Sequence, residues 1–342
     1  MKAIRIDGQT PGGKRTPLAE VLPLAAPFVV QIFPVYACNL TCGYCIHSVP
    51  YQERGYITDQ AVMDYALYQK CIDDMTHFPH KLKMLRFAGT GEPLLHKDIA
   101  KMVAYAVEKK VADSVDIVTN GLSLNPSLSK ELINAGVNKI RISIQGVRAE
   151  AYQHTTQQND FFKEFLTNLK FLYDNRMKTQ IYIKIIDCAL NDGDEEKFFA
   201  MFGDICDFIA IEHLIPAVEQ IDYEKLYKQH KSEWITQNGA ELSTAEVCPQ
   251  PFYLLQINPD GKIVPCCSME TPYVAGNANV ENLYNIWNGQ GFDRFRKKQL
   301  QKRKEIYPVC KKCKQYQYMM FPEDNLDYEA ERLLNTIFQV KK

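Results

Sequence analysis

The chain has 342 residues, 46% of them hydrophobic and 24% charged, which suits one large α/β domain with a smaller appendage. Forty basic side chains stand against 41 acidic ones, a net charge of −1. No bulk charge therefore favours a nucleic-acid or membrane partner, and the composition excludes a disordered, collagen-like or polytopic membrane chain.

Residues 1–27 read as an N-terminal extension. Met1 to Gly8 has no apolar signal core, and the apolar run that follows is interrupted by Pro23 and Pro27 and ended by Pro34. It is neither a signal peptide nor a membrane span, so a cytoplasmic, reducing setting is expected. There the eleven cysteines, an odd number, point to metal binding rather than a disulfide framework.

From residue 28 short β-branched runs alternate with longer amphipathic stretches. Strands are predicted at 28–33, 82–87, 115–119, 139–144, 179–187 and 207–212. Helices are predicted at 59–75, 97–109, 126–134, 160–175 and 193–202. The third helix is well punctuated: Asn125 can cap it, Pro126 suits its first turn and Gly136 its exit. Six βα units over 28–215 predict an α/β fold, a partial (βα)6 TIM-like barrel, with its site at the C-terminal strand ends. The alternation then stops. Residues 216–245 read as a helical linker, with a helix placed in 222–246. A small domain is expected over 246–320, where 252–257 and 262–265 flank the turn Asn258-Pro259-Asp260-Gly261 and a helix follows at 280–304. Residues 321–342 read as a C-terminal helix or tail.

Cys38, Cys42 and Cys45 form a Cys-x3-Cys-x2-Cys motif just past the first predicted strand. Three soft thiolates on one loop can hold three irons of a [4Fe–4S] cluster and leave the fourth open. A zinc site is the alternative, with His47 as a fourth ligand. The triad, with Tyr44 before its last cysteine, resembles the signature of the radical S-adenosylmethionine (SAM) superfamily, whose members fold as partial (βα)6 barrels. Ala88-Gly89-Thr90-Gly91-Glu92-Pro93 resembles that family's glycine–glycine–glutamate segment, which implies that Gly91 and Glu92 receive the methionine amine of SAM. By position Thr119, Asn120, Ser143 and Gln145 resemble its contacts to the SAM ribose and carboxylate. Gln145 stands where an aspartate is common, and Thr155 stands near the place of a frequent arginine.

A second constellation comprises Cys248, Cys266, Cys267, Cys310 and Cys313. Cys248 and Cys266 are spaced as Cys-x12-Gly-x4-Cys, and Cys310 and Cys313 form a Cys-x2-Cys pair. This resembles the SPASM/twitch extension of radical SAM enzymes. The resemblance implies one auxiliary [4Fe–4S] cluster on Cys248, Cys266, Cys310 and Cys313, with Cys267 either spare or a substitute for Cys266. A four-cysteine structural zinc has compatible spacing. Cys71, Cys188 and Cys206 lie in apolar elements and read as core residues. Cys188, at a strand end, is the best placed of them to donate a hydrogen atom.

Lys184, Glu212 and His213 lie by position at the barrel mouth. They either bind substrate and move a proton or are solvated strand-end residues. The basic run Arg294, Arg296, Lys297, Lys298, Lys302, Arg303 and Lys304 reads as a solvated helix face or as a contact for an anionic substrate or electron donor. The family resemblance implies SAM and the [4Fe–4S] clusters as cofactors and a flavodoxin- or ferredoxin-like reductant. It further implies abstraction of a substrate hydrogen by a 5′-deoxyadenosyl radical. The single-cluster arrangement resembles that of aminocyclitol-oxidising members, which implies oxidation of a secondary alcohol in a cyclitol or sugar-type small molecule. Peptide modification by thioether or C–C crosslinking or epimerisation is the main alternative. Only 37 residues precede Cys38, fewer than the peptide-recognition module of many such enzymes. A non-catalytic iron–sulfur or zinc protein would explain the cysteines but not Gly91-Glu92 or the six βα units.

Overall fold

The computed structural model describes residues 1–7, 15–152, 161–227 and 235–338. Its strands are β1 Ile4–Arg5, β2 Val29–Ile32, β3 Met84–Phe87, β4 Val115–Thr119, β5 Lys139–Ile144, β6 Gln180–Ile186, β7 Phe208–Glu212, β8 Leu254–Ile257, β9 Lys262–Val264 and β10 Gly276–Asn277. They form one sheet in the order β1-β7-β6-β5-β4-β3-β2-β8-β9-β10. Neighbours from β2 to β7 are all parallel. Such pairing requires crossovers, which the helices Tyr65–Met75, Ile99–Lys109, Pro126–Asn134, Phe161–Asn175 and Asp194–Phe202 supply. The six predicted parallel strands and the partial barrel are therefore present, with five helices joining them.

Alternation along the strands divides the two faces. In β5, Ile140, Ile142 and Ile144 join the main core with Leu132 and Leu169 from the covering helices. Arg141 and Ser143 take the opposite, concave face. The lumen is consequently polar: Arg141 donates to Asp116 of β4 from Nη2 (3.0 Å) and Nε (3.2 Å), and the two residues are 4% and 0% exposed.

The helix boundaries follow their caps. Asn125 accepts from the Leu128 amide at 3.0 Å, and Gly136 takes a φ of +86° at the exit, as the sequence suggests. The first helix starts at Asp64, which accepts from the Ala66 amide, and not at residue 59. Asp59 instead pairs with Lys262, and Val62 forms an antiparallel bridge to Val35. The stretch 280–304 is not one helix. It breaks at Asn288-Gly289 into Leu283–Trp287 and Gln290–Leu300, and a Cβ on Gly289 would lie 2.4 Å from the Asn285 carbonyl oxygen. Within 222–246 the described residues are helical only at Tyr223–Leu226, and Ile235 bridges Glu241.

Two additions to the barrel sheet were invisible to periodicity. β1 is two residues long and adds in parallel to β7. β8, expected as part of a hairpin in the small domain, also adds in parallel to β2 over four residue pairs, and Gln31 donates to Gln256 across the join at 2.7 Å. The second cysteine constellation is thereby tied to the barrel sheet. No helix among the described residues is long and apolar enough to cross a membrane.

Candidate active site

The loop after β2 carries the first cysteines. The Cys45 amide donates to the Cys42 carbonyl at 2.9 Å, and Ile46 is fully buried beneath them. Arg54 braces the loop from below, donating to the carbonyls of Val49 (2.8 Å) and His47 (3.2 Å) and to the Tyr36 hydroxyl (3.3 Å). Burial, then the neighbouring Glu92 and Cys45 charges, pushes the Cys38 thiol up to about 11, although hydrogen bonds from Leu40 and Asn120 oppose the shift. Burial and the other two thiols push Cys42 up to about 12, and burial raises Cys45. Three buried cysteines close together are a soft donor set that a cationic cluster would satisfy as thiolates. His47 is not poised as a fourth ligand through Nε2, which donates to the Thr90 carbonyl at 3.2 Å.

Glu92 lies beside this loop and is 2% exposed. Its carboxylate accepts from the Thr119 hydroxyl (2.6 Å), the Asn120 amide (2.7 Å) and the Leu94 amide (2.9 Å). Burial raises its pKa, and those three donors pull the other way. Asn120 reaches onward, donating to Asn39 at 2.7 Å and to the Cys38 sulfur at 3.8 Å. Only glycine fits at 91, where a Cβ would lie 1.9 Å from the Val35 carbonyl oxygen. At the end of β5, Gln145 accepts from the Tyr44 hydroxyl at 2.7 Å and donates to the Ser143 carbonyl at 3.2 Å. The structure thus brings Gly91, Glu92, Thr119, Asn120, Ser143 and Gln145 around the cysteine loop. Thr155 lies outside the described residues. Cys71 and Cys206 are fully buried, whereas Cys188 packs with Tyr44 and Cys45.

Lys184 and Glu212 are not solvated strand-end residues. They form an ion pair at 2.5 Å, with side chains 13% and 0% exposed. Glu212 also accepts from Tyr182 (3.1 Å) and Gln237 (2.8 Å), so its acceptor positions are occupied. His213 is held apart from them by Asp187, whose Oδ2 accepts a hydrogen bond from Nδ1 at 2.9 Å. In the neutral ring this places the hydrogen on Nδ1 and leaves Nε2 as an acceptor. Asp187, Tyr182, Gln237 and the Asp116–Arg141 pair are site residues that sequence reasoning missed. A charged residue inside an otherwise apolar strand, as at 116 and 141, was the available signal. Removing one partner of a buried pair leaves the other uncompensated. Lys184→Met is therefore expected to lower stability by about 3–5 kcal/mol, read by thermal denaturation, and the double change with Glu212→Leu to recover only part of it, because Tyr182 and Gln237 lose this acceptor.

The second cysteine set closes around one cavity. Cys248, Cys266, Cys310 and Cys313 line it together with Phe295 and Tyr316. Cys267 lines a different cavity, on the barrel side, where its amide donates to Gln250 at 3.2 Å. Burial, then Cys313, raises the Cys248 thiol; burial, then Cys248, raises Cys266; burial, then Cys313, takes Cys310 to about 12. Four thiols around a shared space suit a fully ligated cluster. The basic run before Cys310 is not a uniform solvated face either. Arg296 is 8% exposed, donates to the carbonyls of Pro251 and Trp287, and stacks 4.0 Å over the Trp287 ring.

These thiol shifts set a pH dependence for the iron-free chain. Folded pKa values above the ordinary 9.0 mean that the folded state holds its protons longer than the unfolded one. Their stabilisation is complete below pH 9 and is lost as pH rises toward 11–12. The urea midpoint of iron-free protein is expected to fall between pH 7.5 and pH 10, and to fall less when Cys38, Cys42 and Cys45 are alanine. Equal slopes would refute the assignment.

Comparison with known proteins follows the same division. Residues 32–196 match the radical SAM superfamily model, and residues 248–314 match the SPASM iron–sulfur cluster-binding domain. The chain is 27% identical over 314 residues to a tungsten-containing aldehyde ferredoxin oxidoreductase cofactor-modifying protein of Pyrococcus furiosus, covering 81% of this chain and 84% of that one. It is 25% identical to a probable GTP 3′,8-cyclase of Methanocaldococcus jannaschii, spanning 54% of this chain and 58% of that protein. Among solved structures, BtrN in complex with AdoMet and 2-DOIA superposes with a TM-score of 0.53 at 20% identity, covering 84% of this chain and 92% of BtrN. SuiB of Streptococcus suis, bound to S-adenosylmethionine, superposes with a TM-score of 0.60 at 14% identity, covering 87% and 77%. These two likenesses speak to the fold.

Proposed function

The chain belongs to the radical SAM superfamily and carries an SPASM domain, which makes it an iron–sulfur enzyme, and we propose that it oxidises a secondary alcohol of a cyclitol or sugar-type small molecule by two electrons. When bound, the two [4Fe–4S] clusters and SAM supply a 5′-deoxyadenosyl radical for hydrogen abstraction and a one-electron acceptor. In this reading Cys38, Cys42 and Cys45 hold the first cluster, and Cys248, Cys266, Cys310 and Cys313 hold the second. Glu92, already oriented by three donors, presents its carboxylate to the methionine amine. Asn120 and Gln145, tied to Asn39 and Tyr44, hold the rim of the SAM site. The proton released in the oxidation goes to Nε2 of His213, because Asp187 holds Nδ1 in its protonated form. Lys184 and Glu212 position the lumen wall.

The observation that carries this reading is the closure of four thiols around the second cavity. A saturated second centre has no position for substrate, which leaves it the work of accepting an electron. The cofactor-modifying description of the Pyrococcus relative supports a non-peptide substrate. The test is 5′-deoxyadenosine release by anaerobically reconstituted, reduced protein, with small-metabolite and peptide fractions of a cell extract added separately. Stimulation by metabolites is expected. Stimulation by peptides alone would overturn the substrate class.

A further inference from the structure

On the barrel side of the β2–β8 join lies a cavity of about 290 Å³ whose walls include Arg15, Lys83, Arg86, Gln250, Cys267 and Asp324. Its charges do not balance. Arg15 is committed to Asp324, which it grips with both oxygens at 2.7 and 2.9 Å. Lys83 is exposed, stacks over Phe28 and donates to the Thr16 hydroxyl at 3.3 Å; it meets no carboxylate among the described residues, and water solvates its charge. Arg86 projects from the inner face of β3. Its hydrogen bond is to the Met84 sulfur, a weak acceptor, and its Nε is buried without a partner. The acidic group nearest along the sheet, Asp116, is already gripped by Arg141 and by Ser114. Burial, then the Arg141 charge, lowers Arg86 to about 10, which still leaves it cationic at neutral pH.

A guanidinium with open donors facing a cavity is costly unless an anion completes it. We infer that this cavity binds a phosphoryl group, with Arg86 as its bidentate fork and the exposed Lys83 as a second counter-charge. Two cations suit a phosphate monoester, which carries roughly −1.5 to −2 at pH 7, better than a single carboxylate. Phe28, Val29, Lys83 and Met84 put the cavity at the N-terminal ends of β2 and β3, the opposite end of the barrel from the Gly91-Glu92 turn, so its ligand is distinct from the molecule at the SAM site. Cys267 on the cavity wall is the immediate neighbour of Cys266, so this ligand also borders the second centre.

Binding is separable from turnover and is measured without SAM or reductant. Iron-reconstituted full-length protein is titrated calorimetrically with inorganic phosphate, and separately with acetate as a carboxylate probe. Phosphate is expected to bind the wild type, with at least a tenfold loss in Arg86→Gln and a smaller loss in Lys83→Gln, while acetate binds weakly throughout. Iron content and melting temperature report whether each variant is folded. Should Arg86→Gln fail to fold, Arg86→Lys keeps the charge without the fork, and a several-fold loss is expected there. Equal phosphate affinity in wild type and folded Arg86 variants, or acetate binding as tightly as phosphate, overturns the inference. Neither result bears on whether a metabolite is oxidised, so failure here and failure of the dehydrogenase reading remain distinguishable.

Discussion

Replacing Cys38, Cys42 and Cys45 together with alanine is expected to reduce 5′-deoxyadenosine release by the reduced protein to the no-enzyme background. The expectation is steeper than for most binding-site changes because the three thiols act as one donor set. The loop that carries them is braced independently by Arg54 and by the buried Ile46, so it should keep its course in the variant. The lost activity then reports ligation and not unfolding. Cys71→Ala supplies the matched control: that thiol is fully buried in the main core, away from the loop, and its removal costs packing only. Retained 5′-deoxyadenosine formation in the triple variant would sink the mechanism, whereas background activity beside a working Cys71→Ala localises the chemistry to this loop.

Much of this site was legible in the sequence, and the parts that were not share a physical cause. Cysteine spacing and the Gly91-Glu92 turn are local signals, because a loop of fixed length must bring its own residues together whatever the surroundings. The helix at Pro126–Asn134 was equally local, written in Asn125, Pro126 and Gly136. What the sequence hid was long-range pairing. Nothing near Leu254–Ile257 announces that it extends the barrel by pairing with β2, more than two hundred residues away in the chain. Nothing near Glu212 announces that Tyr182, Lys184 and Gln237 converge on it. Those contacts turn Lys184 and Glu212, candidates at the barrel mouth for substrate binding or proton transfer, into a buried network, and leave His213, which Asp187 orients, for the proposed proton transfer. The choice between Cys266 and Cys267 was hidden for the same reason. Adjacent residues on an extended chain face opposite ways, and only the tertiary structure says which side holds the other thiols.

That choice supplies the second large expected effect. Replacing Cys310 and Cys313 with alanine should halve the iron content, from about eight to about four atoms per chain, by removing one of two four-iron clusters. SAM cleavage should survive, because the first cysteine loop follows β2 and takes none of its ligands from the C-terminal segment. Product oxidation should fail, because hydrogen abstraction without an electron acceptor leaves a substrate radical that can only be quenched. The readout is thus a split: 5′-deoxyadenosine is still released, and the ketone is absent. Cys266→Ala should behave in the same way, since its thiol lines the cavity shared with Cys248, Cys310 and Cys313. Cys267→Ala should keep the full iron content, since its thiol bonds to Gln250 and lines the barrel-side cavity, although the other thiols are near enough to feel its charge. Zinc in place of four of the irons would assign the second site a structural role. Full product yield from a variant shown to lack the second cluster would remove the electron-acceptor role from the four closed thiols.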